Sequence, residues 1–364
     1  MDDIKHMFKF PQLKIGNLIA EVPVVQGGMG VGISMSGLAS AVANEGGIGV
    51  ISGVGLGMEE PDFRKNFVES NLRILSQEIR KARELSKGLI GVNFLGAINE
   101  YAEMVREAVK EKIDIIFSGA GLPLKLPQYA EGSDTKLVPI VSSERAADLI
   151  CKAWDRRFKR VPDAFVVEGP KAGGHLGFSA KELEHPERFR LEDIIIKVIE
   201  TVKAWANKYK QEIPVIAAGG IYSGEDIVKF LKLGAAGVQM GTRFVCTEEC
   251  DASNDFKQAF IDSKKEDIGV INSPVGLPGR AIINDFLKRA NSGERIAVKC
   301  PYHCLRTCDP DTTPYCITLA LTNAKKGRMK SGFAFAGENA WRNNEIITVK
   351  ELFNRFKSEA ALAQ

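Results

Sequence analysis

The chain carries almost no net charge. Its 49 Lys and Arg against 46 Asp and Glu leave a formal +3 spread over 364 residues, too little for the concentrated basic face that nucleic-acid binding needs. No segment approaches the ~18 consecutive apolar residues of a membrane span. The first ten residues, MDDIKHMFKF, mix acids, lysines and apolar residues without an apolar core. The expectation is a cytoplasmic protein with no nucleic-acid partner and no membrane. A GxSxG elbow is also missing, which sets aside Ser-His-Asp hydrolysis. The dinucleotide fingerprint fails as well: GGMGVGIS follows a strand, but its glycine spacing does not match and no acidic residue ends the next strand. Histidine is scarce, with four in the chain. His6 and His303 stand outside glycine-rich runs, and His185 in LEHPERF reads as an exposed residue before a proline, so none of the three is given a role.

What is present is an ordinary globular composition, 45% hydrophobic and 26% charged, long enough for a barrel with an appended subdomain. Short Val- and Ile-rich runs alternate with amphipathic stretches, the pattern of βαβ units. Strands are predicted at VPVVQ (22–26), GIGVI (47–51), LIGVNF (89–94), IDIIFS (113–118), LVPIVS (137–142), DAFVVE (163–168), IPVIAA (213–218) and AAGVQM (235–240). Between them KNFVESNLRILSQEIRKARELS, NEYAEMVREAVKE, SSERAADLICKAWDRRF and GEDIVKFLKLG place apolar residues at helical spacing. Eight such repeats predict an α/β fold, a (β/α)8 TIM barrel, over residues 1–245. An open doubly wound sheet is the alternative, because the prolines and glycines of GAGLPLKLPQYAEGSDTK permit only a short or irregular helix after the fourth strand. From residue 246 to 364 the alternation stops, and a smaller, loop-rich and helical C-terminal subdomain is expected, its last helix free to pack back on the barrel.

In such a barrel the active site lies at the carboxyl ends of the strands. The residues there are rich in glycine: QGGMG (26–30), SGAG (118–121), EGPKAGGHLGFS (168–179), AAGGI (217–221) and MGTRF (240–244). After the seventh and eighth strands, Gly219, Gly220, Gly241 and Thr242 suit a phosphate held on backbone N–H groups, with the Thr242 hydroxyl as a further donor; tight turns without a ligand are the plainer reading. QGGMG would let a flat ring lie against the backbone with Met29 on its face, or is only a turn. Asn93 ends the third strand as a hydrogen-bonding amide or as a turn former. Lys171 is placed to supply positive charge, or is simply solvated.

As an ordered set, QGGMG, GVNF, EGPKAGGHLG, IPVIAAGGI and GVQMGTRFV resemble the nitronate monooxygenase (2-nitropropane dioxygenase) family and its relative, the FMN-dependent enoyl-acyl-carrier-protein reductase II, over residues 22 to about 245. The resemblance implies an FMN-binding TIM barrel. It places the FMN phosphate on Gly219, Gly220, Gly241 and Thr242 with Gln239 on the same strand end. It lines the flavin ring with Gln26, Gly27, Gly28 and Met29, hydrogen-bonds it to Asn93 and lays Gly174 against it. His175 matches the family's active-site histidine, which holds an anionic nitronate when protonated or takes the α-proton of a nitroalkane when neutral. The implied activity is oxidative denitrification of alkyl nitronates to carbonyl products. The alternative is NAD(P)H-dependent reduction of an enoyl thioester, and a third reading is a flavin- or metal-binding electron carrier or sensor.

The C-terminal third departs from both relatives. CPYHCLRTCDPDTTPYC gathers Cys300, Cys304, Cys308 and Cys316 at separations of three, three and seven residues, a set the usual family members lack. Such a cluster in an intracellular chain points to metal rather than disulfides. Soft tetrahedral sulfur ligation suits a 4Fe-4S cluster or structural zinc, although paired Cys-x-x-Cys knuckles are missing; unmetallated thiols are the remaining reading. A cluster would point to a reductase fed by NAD(P)H or an electron-transfer protein. Oligomeric state is not encoded in any local feature.

Overall fold

The computed structural model describes residues 8–296, 300 and 302–363; His6 lies outside them. In chain order the strands are β1 (Leu13–Ile15), β2 (Leu18–Ala20), β3 (Val24–Gln26), β4 (Ile48–Ser52), β5 (Leu89–Leu95), β6 (Ile115–Gly119), β7 (Lys136–Val141), β8 (Phe165–Glu168), β9 (Gly174–His175), β10 (Val215–Ala218), β11 (Gly237–Met240), β12 (Ile268–Asn272) and β13 (Pro278–Ile282). The helices are α1 (Ser36–Asn44), α2 (Phe67–Leu85), α3 (Tyr101–Lys110), α4 (Leu126–Tyr129), α5 (Glu144–Phe158), α6 (Ala180–Leu183), α7 (Leu191–Tyr209), α8 (Gly224–Lys232), α9 (Thr242–Val245), α10 (Asn254–Ile261), α11 (Asp285–Asn291), α12 (Ile317–Lys325) and α13 (Val349–Leu362).

β3 to β8, β10 and β11 form a closed barrel of parallel strands, β11 pairing back onto β3. Each of the eight coincides with a run read from the sequence, because strands covered on both faces must be apolar at nearly every position; β4 is buried throughout. The open-sheet alternative is excluded by this closure. α4 spans only four residues, the short helix that the Pro/Gly-rich connection permits. The barrel interior packs Val25, Val50, Phe117, Val166 and Ile216 with Leu13 and Ile15 of the β1–β2 hairpin. Leu13 lies beside Gly237, at the start of β11, so the hairpin closes the amino-terminal end of the barrel.

After β11 the expected outer helix is reduced to the four residues of α9. α13, from the far C-terminus, packs instead beside α8 and α1, with Phe353 and Phe356 against Phe244 of α9. Asp251 provides a second tie: its carboxylate accepts N–H bonds from Met35 at 2.8 Å and Leu38 at 3.1 Å. It thereby caps α1, whose own N-cap residue Met35 offers no side-chain acceptor. β12, β13 and β9 make a small antiparallel sheet that the sequence reading treated as loop. It lies across the carboxyl-end face of the barrel and carries His175. No described helix is long and apolar enough to cross a membrane.

Candidate active site

The carboxyl ends of the barrel strands surround a cavity of about 250 Å³, more than ten times the roughly 10–15 Å³ that one water needs. Gly27, Gly28, Met29 and Asn93 form one wall. Gly219, Gly220, Gln239, Gly241 and Thr242 form another, and Gly174 and His175 stand between them. The backbone of Gly28 lies so near Asn93 that a Cβ built on it would sit 2.4 Å from the Asn93 Cβ, so only glycine leaves this wall flat. Gly219 and Gly220 have φ of +96° and +81°, a conformation that turns the chain sharply at the end of β10 and that other residues adopt with strain.

Two of the residues singled out from sequence do not line the cavity. Gln26 is fully buried and its amide is spent inside the barrel wall, Nε2 donating to the Gly27 carbonyl at 2.5 Å and Oε1 accepting from Val50 N–H at 2.9 Å. An inward-pointing amide at the end of a three-residue strand serves the strand junction first. Lys171 leaves 57% of its side chain exposed and pairs with Glu338 at 2.9 Å, so its charge is directed outward. Its backbone carbonyl accepts from Glu338 N–H at 3.1 Å, which holds the segment preceding His175.

His175 Nε2 lies 2.8 Å from Ser273 Oγ, at the turn between β12 and β13, and its ring meets Phe335 edge-on with centroids 4.9 Å apart. The Ser273 hydroxyl also accepts from Val275 N–H at 3.2 Å, which fixes the oxygen and through it the imidazole. The ring is half-buried, open to the cavity and otherwise surrounded by protein. Desolvation pushes its pKa down to about 4, because burial disfavours the imidazolium. At neutral pH the ring is therefore a neutral imidazole, one of the two forms that the resemblance allows.

Glu168, the last residue of β8, also lines the cavity, and sequence reading passed over it. Burial pushes its carboxyl up to about 8, so at pH 7 it is mostly a neutral acid. The usable signal was a carboxylate closing the apolar run DAFVVE at a strand end. Ser273, Phe335 and Gly337 were missed for another reason: they come from the C-terminal third, and only the tertiary fold brings them to the rim. Gly173 stacks on that segment so closely that a Cβ there would stand 2.5 Å from Gly337 N, and Gly337 N–H donates to Thr242 Oγ1 at 2.8 Å.

These residues fit FMN. A flat ring has two walls of bare backbone, with Met29 beside Gly241. Asn93, Gln239 and the protonated Glu168 offer amide and acid groups to its polar edges. The backbone of Gly219, Gly220 and Gly241 and the Thr242 hydroxyl, whose oxygen already accepts from Gly337 and whose proton is left to donate, suit a phosphate. The buried titratable groups are neutral, so an isoalloxazine meets no unpaired charge.

The cysteines sit apart from this cavity. Cys300, Cys304, Cys308 and Cys316 line one small second cavity together with His303 and Thr318, and all are free thiols. Burial pushes the Cys304 thiol up to about 12. Among the described residues no three His, Cys, Asp or Glu side chains are grouped so as to hold a single metal ion.

Residues 12–359 match the nitronate monooxygenase family. The chain is 26% identical over 275 residues to the (3aS,4S,5R,7aS)-5-hydroxy-7a-methyl-1-oxo-octahydro-1H-indene-4-carboxyl-CoA dehydrogenase of Mycobacterium tuberculosis, covering 76% of this chain and 67% of that one. It is 26% identical over 313 residues to a protein named "Probable nitronate monooxygenase" in Staphylococcus aureus (strain Newman), covering 76% and 79%. The solved structure of FabK from Thermotoga maritima superposes with a TM-score of 0.73 at 27% identity over 94% of this chain and 93% of that one. The nitroalkane oxidase of Streptomyces ansochromogenes, at 23% identity and a TM-score of 0.69 over 94% and 96%, shares the fold. The chain is an FMN-dependent oxidoreductase on a TIM barrel and belongs to the nitronate monooxygenase family.

Proposed function

We propose that the chain oxidises alkyl nitronates to carbonyl products, releasing the nitrogen as nitrite, with dioxygen as the final oxidant. The observation that carries this reading is His175, a neutral imidazole held by Ser273 on the rim of a glycine-walled cavity. Bound FMN would supply the capacity to take electrons from a substrate carbon and pass them on. The chain's own residues supply the rest. Gly219, Gly220, Gly241 and Thr242 would hold the phosphate, and Gln239, Asn93 and Glu168 the polar edges of the ring. The Gly27–Gly28 backbone keeps one side flat, and Phe335 shields the imidazole from water. His175, neutral, serves as an acceptor for the α-proton of a nitroalkane or as an N–H donor to a nitronate oxygen, and Ser273 sets its ring plane. Lys171, paired with Glu338, is given no part in this reading.

A second reading, reduction of an enoyl thioester with NAD(P)H, is favoured by the likeness to a relative named for a carboxyl-CoA substrate and to FabK. Anaerobic mixing separates the two. Alkyl nitronate, and not NADH or NADPH, should bleach the flavin band, with nitrite formed once oxygen is admitted. Rapid bleaching by NAD(P)H without any by nitronate overturns the leading reading, and bleaching by neither leaves only an electron carrier or sensor.

A further inference from the structure

We infer that Cys300, Cys304, Cys308 and Cys316 hold an iron–sulfur cluster in a small cavity of their own, near the flavin cavity. The described residues between 300 and 316 contain no helix and no strand beyond a single bridge between Leu305 and Ile98, yet they are held from several sides. Tyr302 stacks on Phe67 with centroids 5.3 Å apart, Asn99 N–H donates to the Cys304 carbonyl at 3.1 Å, the Arg306 guanidinium donates to the Gly96 carbonyl, and Thr307 Oγ1 donates to the Val275 carbonyl at 2.7 Å. A loop so anchored brings four free thiols around one cavity. No disulfide forms, and all four cysteines are partly buried.

The arrangement favours a cluster over a lone ion. Zinc requires all four sulfurs about 2.3 Å from one point, hence about 3.8 Å from one another, and no three of the described side chains are grouped in that way. A polynuclear cluster does not need its thiols to converge on one point, only to line one cavity, and all four line the same small one. Burial raises the thiols of Cys304 and Cys316 in the metal-free chain, but each has a neighbour that favours a ligating sulfur. Cys304 Sγ and Thr318 Oγ1 are 3.3 Å apart, so the hydroxyl can donate to the sulfur, as outer-shell groups do in metal sites. Cys316 is the N-cap residue of the nine-residue α12, where the helix N-terminus favours a sulfur anion.

The site adjoins the flavin cavity. From its N-cap Cys316, α12 leads to Leu321, which lines that cavity, a rise of about 8 Å at about 1.5 Å per residue. On the other side, Leu305 bridges Ile98, three residues past Leu95 on the cavity wall. The inference does not depend on which substrate His175 meets.

The test uses full-length protein purified without oxygen and, in parallel, reconstituted with ferrous iron and sulfide. About four iron and four acid-labile sulfide per chain are expected, with a broad absorption that dithionite bleaches and an electron paramagnetic resonance signal in the reduced protein. Cys304→Ala and Cys316→Ala should each lose iron and sulfide while retaining FMN, and Cys151→Ala, buried in α5, should keep all three. Zinc without sulfide, or a flavin-containing protein that takes up no iron on reconstitution, overturns the inference. If a variant does not fold, the stoichiometry of the unaltered protein decides. Failure of the flavin reading would appear separately, as a chain with iron and sulfide but no FMN.

Discussion

His175 Nε2 and Ser273 Oγ stand 2.8 Å apart, although 98 positions separate them in the chain. The contact joins the rim of the barrel to the hairpin laid across it, so the imidazole is aimed by a residue that does not line the cavity. Replacing Ser273 by alanine should lower kcat about tenfold, in the range of outer-shell deletions at other sites, with FMN content and KM little changed; Ser273→Thr should recover part of the loss. Unaltered kcat in Ser273→Ala would show that the ring is positioned by packing on Phe335 alone.

For His175 itself, substitution by alanine should cut turnover by about 10²–10⁴ while FMN stays bound. Because burial lowers its pKa to about 4, the ring is neutral across the assay range, and the rate with a neutral nitroalkane should be level from pH 5.5 to 7. A steep rise centred near pH 6.5 would mean that the imidazole titrates as it does in water.

The flat wall at Gly28 is the test of flavin placement. A methyl group there would stand 2.4 Å from the Asn93 Cβ, and relieving such overlap typically costs about 1–3 kcal/mol. Gly28→Ala should therefore weaken FMN binding about 5- to 150-fold in a fluorescence titration, without unfolding the barrel. FMN affinity equal to that of the unaltered chain would move the ring away from this wall.

The Asp251 cap predicts a purely structural effect. Asp251→Ala removes the acceptor of the Met35 and Leu38 N–H groups, at a cost of about 1–2 kcal/mol, read as a Tm lowered by a few degrees. Asp251→Asn should recover part of it. An unchanged Tm in the alanine variant would mean that water replaces the cap.

The barrel was legible in sequence because its strands are covered on both faces and so appear as unbroken Val/Ile runs, of which IGVIS of β4 is typical. The small sheet was not. β9 is two residues inside a glycine loop, its pairing with β13 is set by tertiary contact, and IGVIN and PGRAI around SPVGL carry hairpin chemistry that the surrounding glycines and prolines disguised. Within the site, His175 stood out through its glycine frame, whereas Ser273 and Phe335 have no local signature. Gln26 and Lys171 show the opposite limit: residue type and motif position were read correctly, but a buried amide served the strand junction and an exposed ammonium found Glu338.

Glu168 carries the sharpest pH prediction, because its carboxyl is raised from 4.5 to about 8 while the His175 imidazole is lowered from 6.5 to about 4. Between the unfolded and folded values of Glu168 the native chain holds a proton that the unfolded chain has released, so stability falls as pH rises through that window. For His175 the unfolded chain binds the extra proton, so stability is lost as pH falls from 6.5 towards 4. The two slopes oppose each other from pH 4.5 to 6.5, and Glu168 acts alone from 6.5 to 8. A full shift corresponds to about 1.4 kcal/mol per pH unit; openness of the carboxyl to the cavity reduces this, to about 1 kcal/mol over the interval. Urea unfolding of the flavin-free chain at pH 6.5 and 8 should show the unaltered protein losing about that much more stability than Glu168→Gln. The same ionisation places a negative charge beside an anionic nitronate, so KM for nitronate should climb above pH 8 in the unaltered enzyme and stay level in Glu168→Gln. Equal pH responses of the two proteins in both measurements would show that Glu168 is already ionised in the folded chain, and that the cavity meets its flavin with a charge rather than with a hydrogen-bond donor.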